Sequence, residues 1–531
     1  MNNILNIKNL TLTVDNRKLL NAIGFNIKQG EIFALVGESG SGKSLTSLAI
    51  MRLLPESISV SFGDIELHGE SLFSLPEYKM QKIRGKSIAM IFQEPMSALN
   101  PVMTVGEQVA EVIHIHLKLK KDEVKRKVLS LFNEVGLVDC EQRYNWYPHQ
   151  FSGGQKQRVM IAIALACEPD LLIADEPTTA LDVTIQAQVL KLLKEIQRKR
   201  SLSILFITHD IAVVSQMADR VAVMKNGNIL EQANIKEFLS NPKHEYTQKL
   251  LRDALYSGSD KDKAIEADKI IEVDGLKVHF PIKKGLFQRT VDYVKAVDGV
   301  SFSIEKGKTL ALVGESGSGK STIGKAMLSL EKVTSGKIVF ENRDISILTE
   351  RELKPYRQKI QVVFQDPFSA LNPRMTIGNI IREGMQSLKV EPSNREEQDK
   401  YIKDLLLKVD LDTEHFYRYP HEFSGGQRQR IGIARALAVK PQLIICDEPT
   451  SALDVSVRSQ VLKLFKKLQD EDGLSYLFIT HDLSIVPIVA DEVAVMKDGK
   501  IVEQGSIVDV MQNPQHAYTK KLLDSAPKIV N

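Results

Sequence analysis

Short runs of consecutive apolar residues recur along the chain. Residues 32–37 (IFALVG), 171–175 (LLIAD) and 202–208 (LSILFIT) are continuous apolar stretches of strand length. Strands that are buried on both faces of a parallel sheet have this pattern. A helix-compatible segment follows each run, and this alternation predicts an α/β core.

Two other patterns interrupt the alternation. Segments 221–232 (VAVMKNGNILEQ) and 493–504 (VAVMKDGKIVEQ) place Asn-Gly and Asp-Gly between short apolar runs, which predicts antiparallel β-hairpins. Segments 102–148 and 374–420 have helix-like patterning, so we expect a helical subdomain inserted in each half of the chain.

The chain contains an internal repeat. VGESGSGKS begins at residues 36 and 313, an offset of 277 (313 minus 36), whereas FQEPMSALNP and FQDPFSALNP begin at 92 and 364, an offset of 272 (364 minus 92). The later motifs keep the offset of 272. The second half has therefore lost five residues between these two motifs, and the repetition predicts two homologous domains.

The predicted domains are residues 1–251 and 269–531, joined by a polar, charged linker at 252–268. The second half also carries an insertion within 281–297, which includes Lys283, Lys284 and Arg289. It is interpreted as a surface hairpin, and contact with a membrane or a partner through its basic residues is the alternative.

Composition narrows the functional class. Hydrophobic residues make up 43% and charged residues 26% of the 531, values typical of a globular protein. A net charge of +3 is small for a nucleic-acid-binding protein, so we expect no nucleic-acid partner. No apolar run has the roughly 18–20 residues that a membrane-spanning helix needs, and we expect an intracellular protein without spans of its own.

The glycine-rich motif GESGSGKS follows a predicted strand and opens a predicted helix, which is the context of a phosphate-binding P-loop. Its glycines allow backbone N–H groups to face phosphates, its lysine adds a positive charge, and its last serine can bind Mg²⁺. In the first half these residues are Gly37, Gly40, Gly42, Lys43 and Ser44. In the second half they are Gly314, Gly317, Gly319, Lys320 and Ser321.

Two adjacent carboxylates end a predicted strand in each half, Asp175–Glu176 and Asp447–Glu448. The first carboxylate of each pair is suited to Mg²⁺. The second can accept a proton from an attacking water as general base. These positions predict a hydrolytic site beside each P-loop.

Other polar residues also follow predicted strands. Gln93 and Gln365 can bind the metal or orient water, and His209 and His481 are predicted to contact the γ-phosphate. The segments FSGGQKQR and FSGGQRQR begin at 151 and 423. Because each opens a predicted helix with bare backbone N–H groups, each predicts an anion site, although neither has the lysine that a GxxxxGK(S/T) loop uses.

Together these motifs resemble the ATP-binding-cassette superfamily over nearly the whole chain. The resemblance implies two tandem P-loop cassettes, each with an α/β core, β-hairpins and an inserted helical subdomain, that use ATP and Mg²⁺. It also implies head-to-tail pairing, in which the FSGG segment of one half closes over the ATP bound by the other. One site would combine Lys43, Ser44, Gln93, Asp175, Glu176 and His209 with Ser424, Gly425 and Gly426. The other would combine Lys320, Ser321, Gln365, Asp447, Glu448 and His481 with Ser152, Gly153 and Gly154.

The two halves differ at one position that the resemblance makes important. The family places an aromatic residue against adenine in its first strands, and Phe280 has this place in the second half. The aligned residue of the first half is Val14. Because base–aromatic stacking is worth roughly 1–3 kcal/mol, we expect weaker nucleotide binding in the first half.

A narrower resemblance depends on YPHQFSGG, YPHEFSGG and two tails, NPKHEYTQKLL and NPQHAYTKKLL. These are similar to dipeptide and oligopeptide importer ATPases, and most of all to the fused two-cassette ATPase of the microcin C uptake type. Nickel and glutathione, the substrates of related importers, remain alternatives to peptides. The resemblance implies two permease subunits as separate chains, an extracytoplasmic binding protein, and a peripheral location on the cytoplasmic side of the inner membrane.

A soluble tandem cassette acting on ribosomes in translation is the alternative class, because such proteins share the ATPase motifs and also lack membrane spans. Those proteins typically carry a long charged linker and lack the importer tails. The short linker at 252–268 therefore favours the importer.

Overall fold

The structure is a computed structural model. Its description covers the chain except residues 1, 16, 94–97, 179–180, 255–267, 285–288, 452 and 527–531, and the side chains of Phe368 and Ser456. The described residues form two compact units, 2–254 and 268–526. The domain limits 1–251 and 269–531 stay a prediction, because most of the predicted linker lies outside the described residues.

The first unit contains both strands and helices. Its strands are β1 (Asn3–Val14), β2 (Arg17–Lys28), β3 (Ile32–Val36), β4 (Ser59–Leu67), β5 (Glu70–Ser71), β6 (Ile88–Ile91), β7 (Leu171–Asp175), β8 (Ser203–Thr208), β9 (Arg220–Lys225) and β10 (Asn228–Asn234). Its helices are α1 (Lys43–Met51), α2 (Glu77–Ile83), α3 (Val105–His116), α4 (Lys121–Glu134), α5 (Cys140–Arg143), α6 (Gly153–Leu165), α7 (Val183–Arg200), α8 (Ile211–Met217), α9 (Ile235–Ser240) and α10 (Glu245–Ala254).

The described strands of the first unit form two sheets. One is antiparallel, in the order β2-β1-β4-β5, and the other has the order β10-β9-β3-β8-β7-β6. Neighbours from β9 to β6 are parallel, and β10 pairs antiparallel to β9 through the predicted Asn-Gly hairpin. All five residues of β3 and of β7 are buried, as continuous apolar runs predict for the centre of a parallel sheet.

The second unit repeats this arrangement. Its strands are β11 (Lys269–Lys284), β12 (Arg289–Glu305), β13 (Thr309–Val313), β14 (Ser335–Phe340), β15 (Arg343–Asp344), β16 (Ile360–Val363), β17 (Leu443–Asp447), β18 (Ser475–Thr480), β19 (Glu492–Lys497) and β20 (Lys500–Ser506). Its helices are α11 (Lys320–Met327), α12 (Glu350–Lys359), α13 (Pro367–Ala370), α14 (Ile377–Leu388), α15 (Arg395–Lys408), α16 (Gly425–Leu437), α17 (Val455–Asp472), α18 (Val486–Val489) and α19 (Ala517–Ser525). Its larger sheet has the order β16-β17-β18-β13-β19-β20.

The predicted helical subdomains are confirmed. Helices α3, α4 and α5 occupy 105–143 of the first unit, and α14 and α15 occupy 377–408 of the second. Their apolar faces bury Val109, Ile113 and Phe132 in the first unit. Each subdomain is thus continuous with the core beneath the parallel sheet.

The structure moves one predicted boundary and extends one predicted hairpin. Helix α10 continues to Ala254, three residues into the predicted linker, because Ala254 packs against the apolar cluster beneath β9. The insertion within 281–297 extends β11 and β12 into a longer antiparallel ribbon, with Pro281 paired to Tyr293 and Lys284 to Arg289. The tip, 285–288, lies outside the described residues, and a contact of this ribbon with a membrane or partner stays a hypothesis.

Candidate functional site

The candidate site of each unit lies where neighbouring parallel strands end. In the first unit the P-loop (37–44) follows β3, His209 follows β8, Glu176 follows β7 and Gln93 follows β6. These four strands are neighbours in the sheet, in the order β3-β8-β7-β6. Their carboxyl ends share one edge, which is where open α/β sheets bind ligands.

The fold of the P-loop accounts for its glycines. A Cβ on Gly37 would lie 2.1 Å from the carbonyl oxygen of Met224, and a Cβ on Gly42 would lie 2.4 Å from Leu20 Cδ2. Gly40 has a φ of 76°, a conformation that side chains disfavour. In the second unit Gly314 and Gly319 are equally confined, with Cβ distances of 2.2 Å and 2.1 Å to backbone oxygens, and Gly317 has a φ of 81°.

The lysine of each P-loop is folded back over the loop. Lys43 Nζ donates to the carbonyl oxygens of Gly37 at 2.8 Å and Glu38 at 2.9 Å, and Lys320 donates to Gly314 and Glu315 at the same distances. Both side chains are buried, at 5% and 4% exposure. An anion in the loop can replace these carbonyls as the partner of the ammonium group.

The loop also contains an unsatisfied polar atom that fits a phosphate. Ser41 Oγ is buried and has no hydrogen-bond partner among the described residues, an arrangement that is unfavourable unless a ligand completes it. Helix α1 begins at Lys43 and directs its first N–H groups into the loop. The residues present therefore fit a phosphate group.

A hydroxyl and a carboxylate meet beside each P-loop. Ser321 Oγ donates to Asp447 Oδ1 at 2.8 Å, and in the first unit Ser47 Oγ donates to Asp175 Oδ2 at 3.4 Å. Burial raises the pKa of both Asp175 and Asp447, against the opposing effect of hydroxyls that hydrogen-bond to them. The sequence did not single out Ser47, although it lies one helical turn after Ser44.

This donor set suits Mg²⁺, which takes one or two protein oxygens and completes its shell with water and phosphate. Asp175 Oδ1 is buried without a hydrogen-bond partner among the described residues. The described part of the chain contains no group of three or more His, Cys, Asp or Glu that could hold a metal by themselves. The residues present fit Mg²⁺ bound together with a nucleotide.

The structure brings the predicted glutamine, glutamate and histidine together. Gln93 Nε2 donates to Glu176 Oε2 at 2.9 Å, and His209 Nδ1 lies 3.1 Å from Glu176 Oε1. In the second unit Gln365 Nε2 donates to Glu448 Oε2 at 2.9 Å. His481 Nδ1 lies 3.1 Å from the same Oε2, with the geometry of an ion pair rather than of a directed hydrogen bond.

Both glutamates are held in an unusual backbone conformation. Glu176 has a φ of 47° and Glu448 a φ of 46°, a left-handed conformation that is uncommon for residues other than glycine and costs of order 1 kcal/mol or more. The Glu176 N–H donates to Ile207 O and the Glu448 N–H to Ile479 O, each at 2.9 Å. The neighbouring strand thus holds the strained residue in place.

The electrostatics of the second unit favour a charged pair. Burial tends to raise the pKa of Glu448, but His481 and Lys320 outweigh it and lower that pKa. Burial tends to lower the pKa of His481, but the carboxylates of Glu448 and Asp482 outweigh it and raise that pKa. Glu448 is therefore ionised at neutral pH, as a general base must be.

The signature segments, Ser152–Gly154 and Ser424–Gly426, each open a helix. Ser152 caps α6, and its side chain accepts from the Gln155 N–H. A Cβ on Gly154 would lie 2.4 Å from Ile185 Cγ2, whereas a Cβ on Gly153 would have only Leu181 Cδ2 near it, at 3.9 Å. Packing against α7 thus requires the second glycine, which the sequence pattern associates with anion binding alone. The role of both segments toward ATP stays a prediction.

The expected adenine position has the same place in both units. Val14 pairs with Arg17 at the end of β1. Phe280 has the matching position in β11, where it pairs with Val294. Phe280 is 38% exposed. A Cβ on Gly319 would meet Ala296 O, so β12 lies beside the P-loop. The two units therefore differ in the side chain at this position, and the effect of that difference on ATP affinity stays a prediction.

Three strand ends that carry a histidine, a glutamate and a glutamine beside a P-loop, repeated in tandem, define a P-loop ATPase of the cassette class. The family described as ABC transporter matches residues 20–179 and 297–451. The family described as oligopeptide/dipeptide transporter, C-terminal region, matches residues 230–273 and 502–531. The chain therefore belongs to the ABC transporter family of ATP-binding proteins.

Similar proteins cover nearly the whole chain. The peptidoglycan transport ATP-binding protein YejF of Agrobacterium fabrum is 46% identical over 95% of this chain and 92% of its own length. The glutathione import ATP-binding protein GsiA of Salmonella choleraesuis is 45% identical over 95% of this chain and 86% of its own. A solved dimeric ATP-binding cassette with ADP and Pi is 29% identical over 45% of this chain and 98% of its own, with a TM-score of 0.41.

These relatives confirm the ATPase prediction and favour the importer over the ribosome-acting alternative. The chain is an ABC-type ATPase of the transporter class. Within the part of the chain that the structure describes, no helix is long and apolar enough to cross a membrane.

Proposed function

We propose that this chain hydrolyses ATP with Mg²⁺ at two sites and thereby drives the import of small peptides. The observation that carries the substrate class is the pair of tails: both match the oligopeptide/dipeptide transporter C-terminal region. One relative is named for glutathione import and another for peptidoglycan transport. Glutathione is a tripeptide, so it belongs to the same chemical class as the proposed substrate.

The residues of the first unit divide the chemistry among them. Lys43 and the N–H groups at the start of α1 bind the phosphates, and Ser44 with Asp175 would hold Mg²⁺, which supplies positive charge to the phosphate oxygens. Glu176 accepts the proton of the attacking water. His209 and Gln93, both bonded to Glu176, orient that carboxylate and respond to the γ-phosphate. Lys320, Ser321, Asp447, Glu448, His481 and Gln365 repeat these roles.

We further propose that each ATP is closed by the signature segment of the other half. The bare N–H of Gly153 and the start of α6 offer positive potential to a γ-phosphate. Ser152–Gly154 would serve the nucleotide bound by Lys320, and Ser424–Gly426 the nucleotide bound by Lys43. Both sites would then be competent for hydrolysis.

The partners follow from the proposed function. Two membrane permease subunits, as separate chains, would receive the motion of the helical subdomains through Gln93 and Gln365. An extracytoplasmic binding protein would deliver the peptide to them. The chain would then lie on the cytoplasmic side of the inner membrane as a peripheral subunit.

Peptide uptake tests the proposal directly. Cells that depend on this chain should lose uptake of labelled dipeptides or of glutathione when it carries Glu176→Gln and Glu448→Gln. A matched control is Glu272→Gln, because that carboxylate is 51% exposed and lies on β11, outside both helical subdomains. Normal uptake of dipeptides, glutathione and nickel by the double variant would overturn the importer function, and loss of nickel uptake alone would overturn the peptide class.

The proposal that each ATP is closed by the signature segment of the other half has its own test. In a Glu176→Gln background only the Lys320 site hydrolyses ATP, and Ser152→Ala should slow that hydrolysis. In a Glu448→Gln background the same Ser152→Ala change should have little effect. Equal loss in both backgrounds would contradict the proposed exchange.

A further inference from the structure

The C-terminal segment of the second unit is bonded to the β19–β20 hairpin, which lies beside the P-loop and donates to it from the Gly499 N–H to Ser318 O at 3.0 Å. Glu503 of β20 accepts from the backbone N–H groups of Gln515 at 2.6 Å and His516 at 3.1 Å. His516 Nδ1 then accepts from the N–H of Tyr518 at 3.1 Å, which caps helix α19. These bonds fix the start of α19 and the direction of its first side chains.

The first aromatic side chain of α19 reaches the P-loop itself. Tyr518 is 6% exposed, and its hydroxyl oxygen accepts a hydrogen bond from the backbone N–H of Glu315 at 3.2 Å. Lys497, the last residue of β19, lies over the ring with its Nζ 5.0 Å from the centroid. Glu315 is the second residue of the loop GESGSGKS.

One residue thus joins the tail to the lysine of the P-loop. The N–H of Glu315 bonds to Tyr518, while its carbonyl oxygen accepts from Lys320 Nζ at 2.9 Å. Gly314, just before it, is confined by Met496 O, which a Cβ at that position would approach to 2.2 Å. The start of the loop is therefore held by β19 on one side and by Tyr518 on the other.

The first unit repeats the contacts at the start of the tail helix and the cation over the tyrosine ring. Glu231 accepts from the N–H groups of Lys243 and His244, each at 2.9 Å, and His244 Nδ1 accepts from the N–H of Tyr246 at 3.1 Å. Lys225 Nζ lies 4.2 Å from the centroid of the Tyr246 ring. A surface helix held only by apolar packing would need none of these polar contacts, and the chain repeats them at an offset of 272 (518 minus 246).

We propose that Tyr518 is a positioning residue for nucleotide binding: its hydroxyl fixes the first peptide of the P-loop and so sets Lys320 for the phosphates. The tail is then a brace of the nucleotide site and not only a family-specific extension. This inference rests on the proposed function, in which the Lys320 site binds ATP.

The test uses single-site forms of the full-length chain. Lys43→Ala leaves the Lys320 site as the ATP-binding site, and Lys320→Ala leaves the other. Tyr518→Phe retains the ring beneath Lys497 and removes only the hydroxyl. Because one hydrogen bond is at stake, ATP affinity in the Lys43→Ala background should fall about three- to tenfold, measured by titration with ATP in the absence of turnover. In the Lys320→Ala background it should not change.

A matched control separates positioning from stability. Tyr476 is also buried and its hydroxyl donates to Phe465 O at 3.2 Å, at the opposite end of the sheet from the P-loop. Tyr476→Phe should therefore lower the unfolding temperature at least as much as Tyr518→Phe and leave ATP affinity unchanged. Unchanged affinity in Tyr518→Phe, or equal losses in both backgrounds, would overturn the inference. If neither Lys43→Ala nor Lys320→Ala weakens ATP binding, the proposed function itself is wrong.

Discussion

The two units hold the lysine, glutamine, glutamate and histidine of the site at matching distances. Each P-loop lysine donates to the same two carbonyl oxygens at 2.8 Å and 2.9 Å. Each glutamine donates to its glutamate at 2.9 Å, and each histidine lies 3.1 Å from that glutamate. Even the left-handed conformation of the glutamate recurs. The groups that would contact phosphate and water are thus held alike in both halves.

The surroundings of the two sites differ. Val14 stands where the second unit has Phe280, and beyond that position β11 and β12 continue as a ribbon that the first unit lacks. Val291, Tyr293 and Val294 of the ribbon are more than half exposed. Hydrolysis requires a defined geometry only of the few polar groups that would contact phosphate and water. The adenine contact and the outer strands can therefore differ between the two halves.

The largest expected effect tests whether the halves are equivalent in hydrolysis. Glu176→Gln and Glu448→Gln each remove a general base while preserving size, so each should stop hydrolysis at its own site, a loss of at least about 100-fold there. The measurement is single-turnover hydrolysis by each variant and by the double variant. The single variants should retain similar rates, since the two sites are alike.

The same experiment can contradict equivalence. If Glu448→Gln abolishes all hydrolysis while Glu176→Gln leaves the rate unchanged, the first site is not hydrolytic despite its geometry. Glu272→Gln serves as the control for a change of one surface charge.

A smaller effect is expected from the adenine position. Phe280→Val should weaken ATP binding in the Lys43→Ala background by at least about fivefold, the lower end of base–aromatic stacking. Val14→Phe should strengthen binding in the Lys320→Ala background by a similar factor. Equal ATP affinities of the Lys43→Ala and Lys320→Ala variants before either change would show that Phe280 does not stack on adenine.

Sequence reasoning succeeded where a motif carries its own context. The P-loop follows a strand, the acidic pair ends one, and the parallel order of the strands then brings Gln93, Glu176 and His209 to one edge without further information. Prediction from the sequence failed where a residue acts through another residue that is distant in the chain. Ser47 reaches Asp175 across 128 residues, and Tyr518 reaches Glu315 across 203. No local pattern distinguishes such residues from ordinary core or surface positions.

The packing role of Gly154 in the signature segment was also not predicted from the sequence. Substitutions of Gly153 and Gly154 can separate packing from the predicted contact with ATP. Gly154→Ala would place a Cβ 2.4 Å from Ile185 and should destabilise the chain by about 1–3 kcal/mol. Gly153→Ala has open space and should leave stability unchanged. Thermal unfolding measures both, and Ile185→Ala should restore much of the stability that Gly154→Ala loses. No loss of stability in Gly154→Ala would show that α7 yields to the added methyl group.

The smallest expected effect concerns the ion pair of the second unit. Burial tends to lower the pKa of His481, but Glu448 and Asp482 outweigh burial and Lys320 and raise this pKa above the ordinary value of a histidine. The stabilisation from its protonated form is therefore complete below the unfolded-state pKa and is lost as pH rises through the folded-state pKa.

His481→Ala should accordingly lower the unfolding temperature of the nucleotide-free protein more at pH 6 than at pH 8.5. The difference should be of order 1 kcal/mol, or roughly 2–4 °C for a unit of this size. Glu448→Gln removes the partner charge and should flatten this dependence. A destabilisation that stays constant, or that grows with pH, would mean that His481 is neutral beside Glu448 and that the carboxylate is held by Gln365 alone.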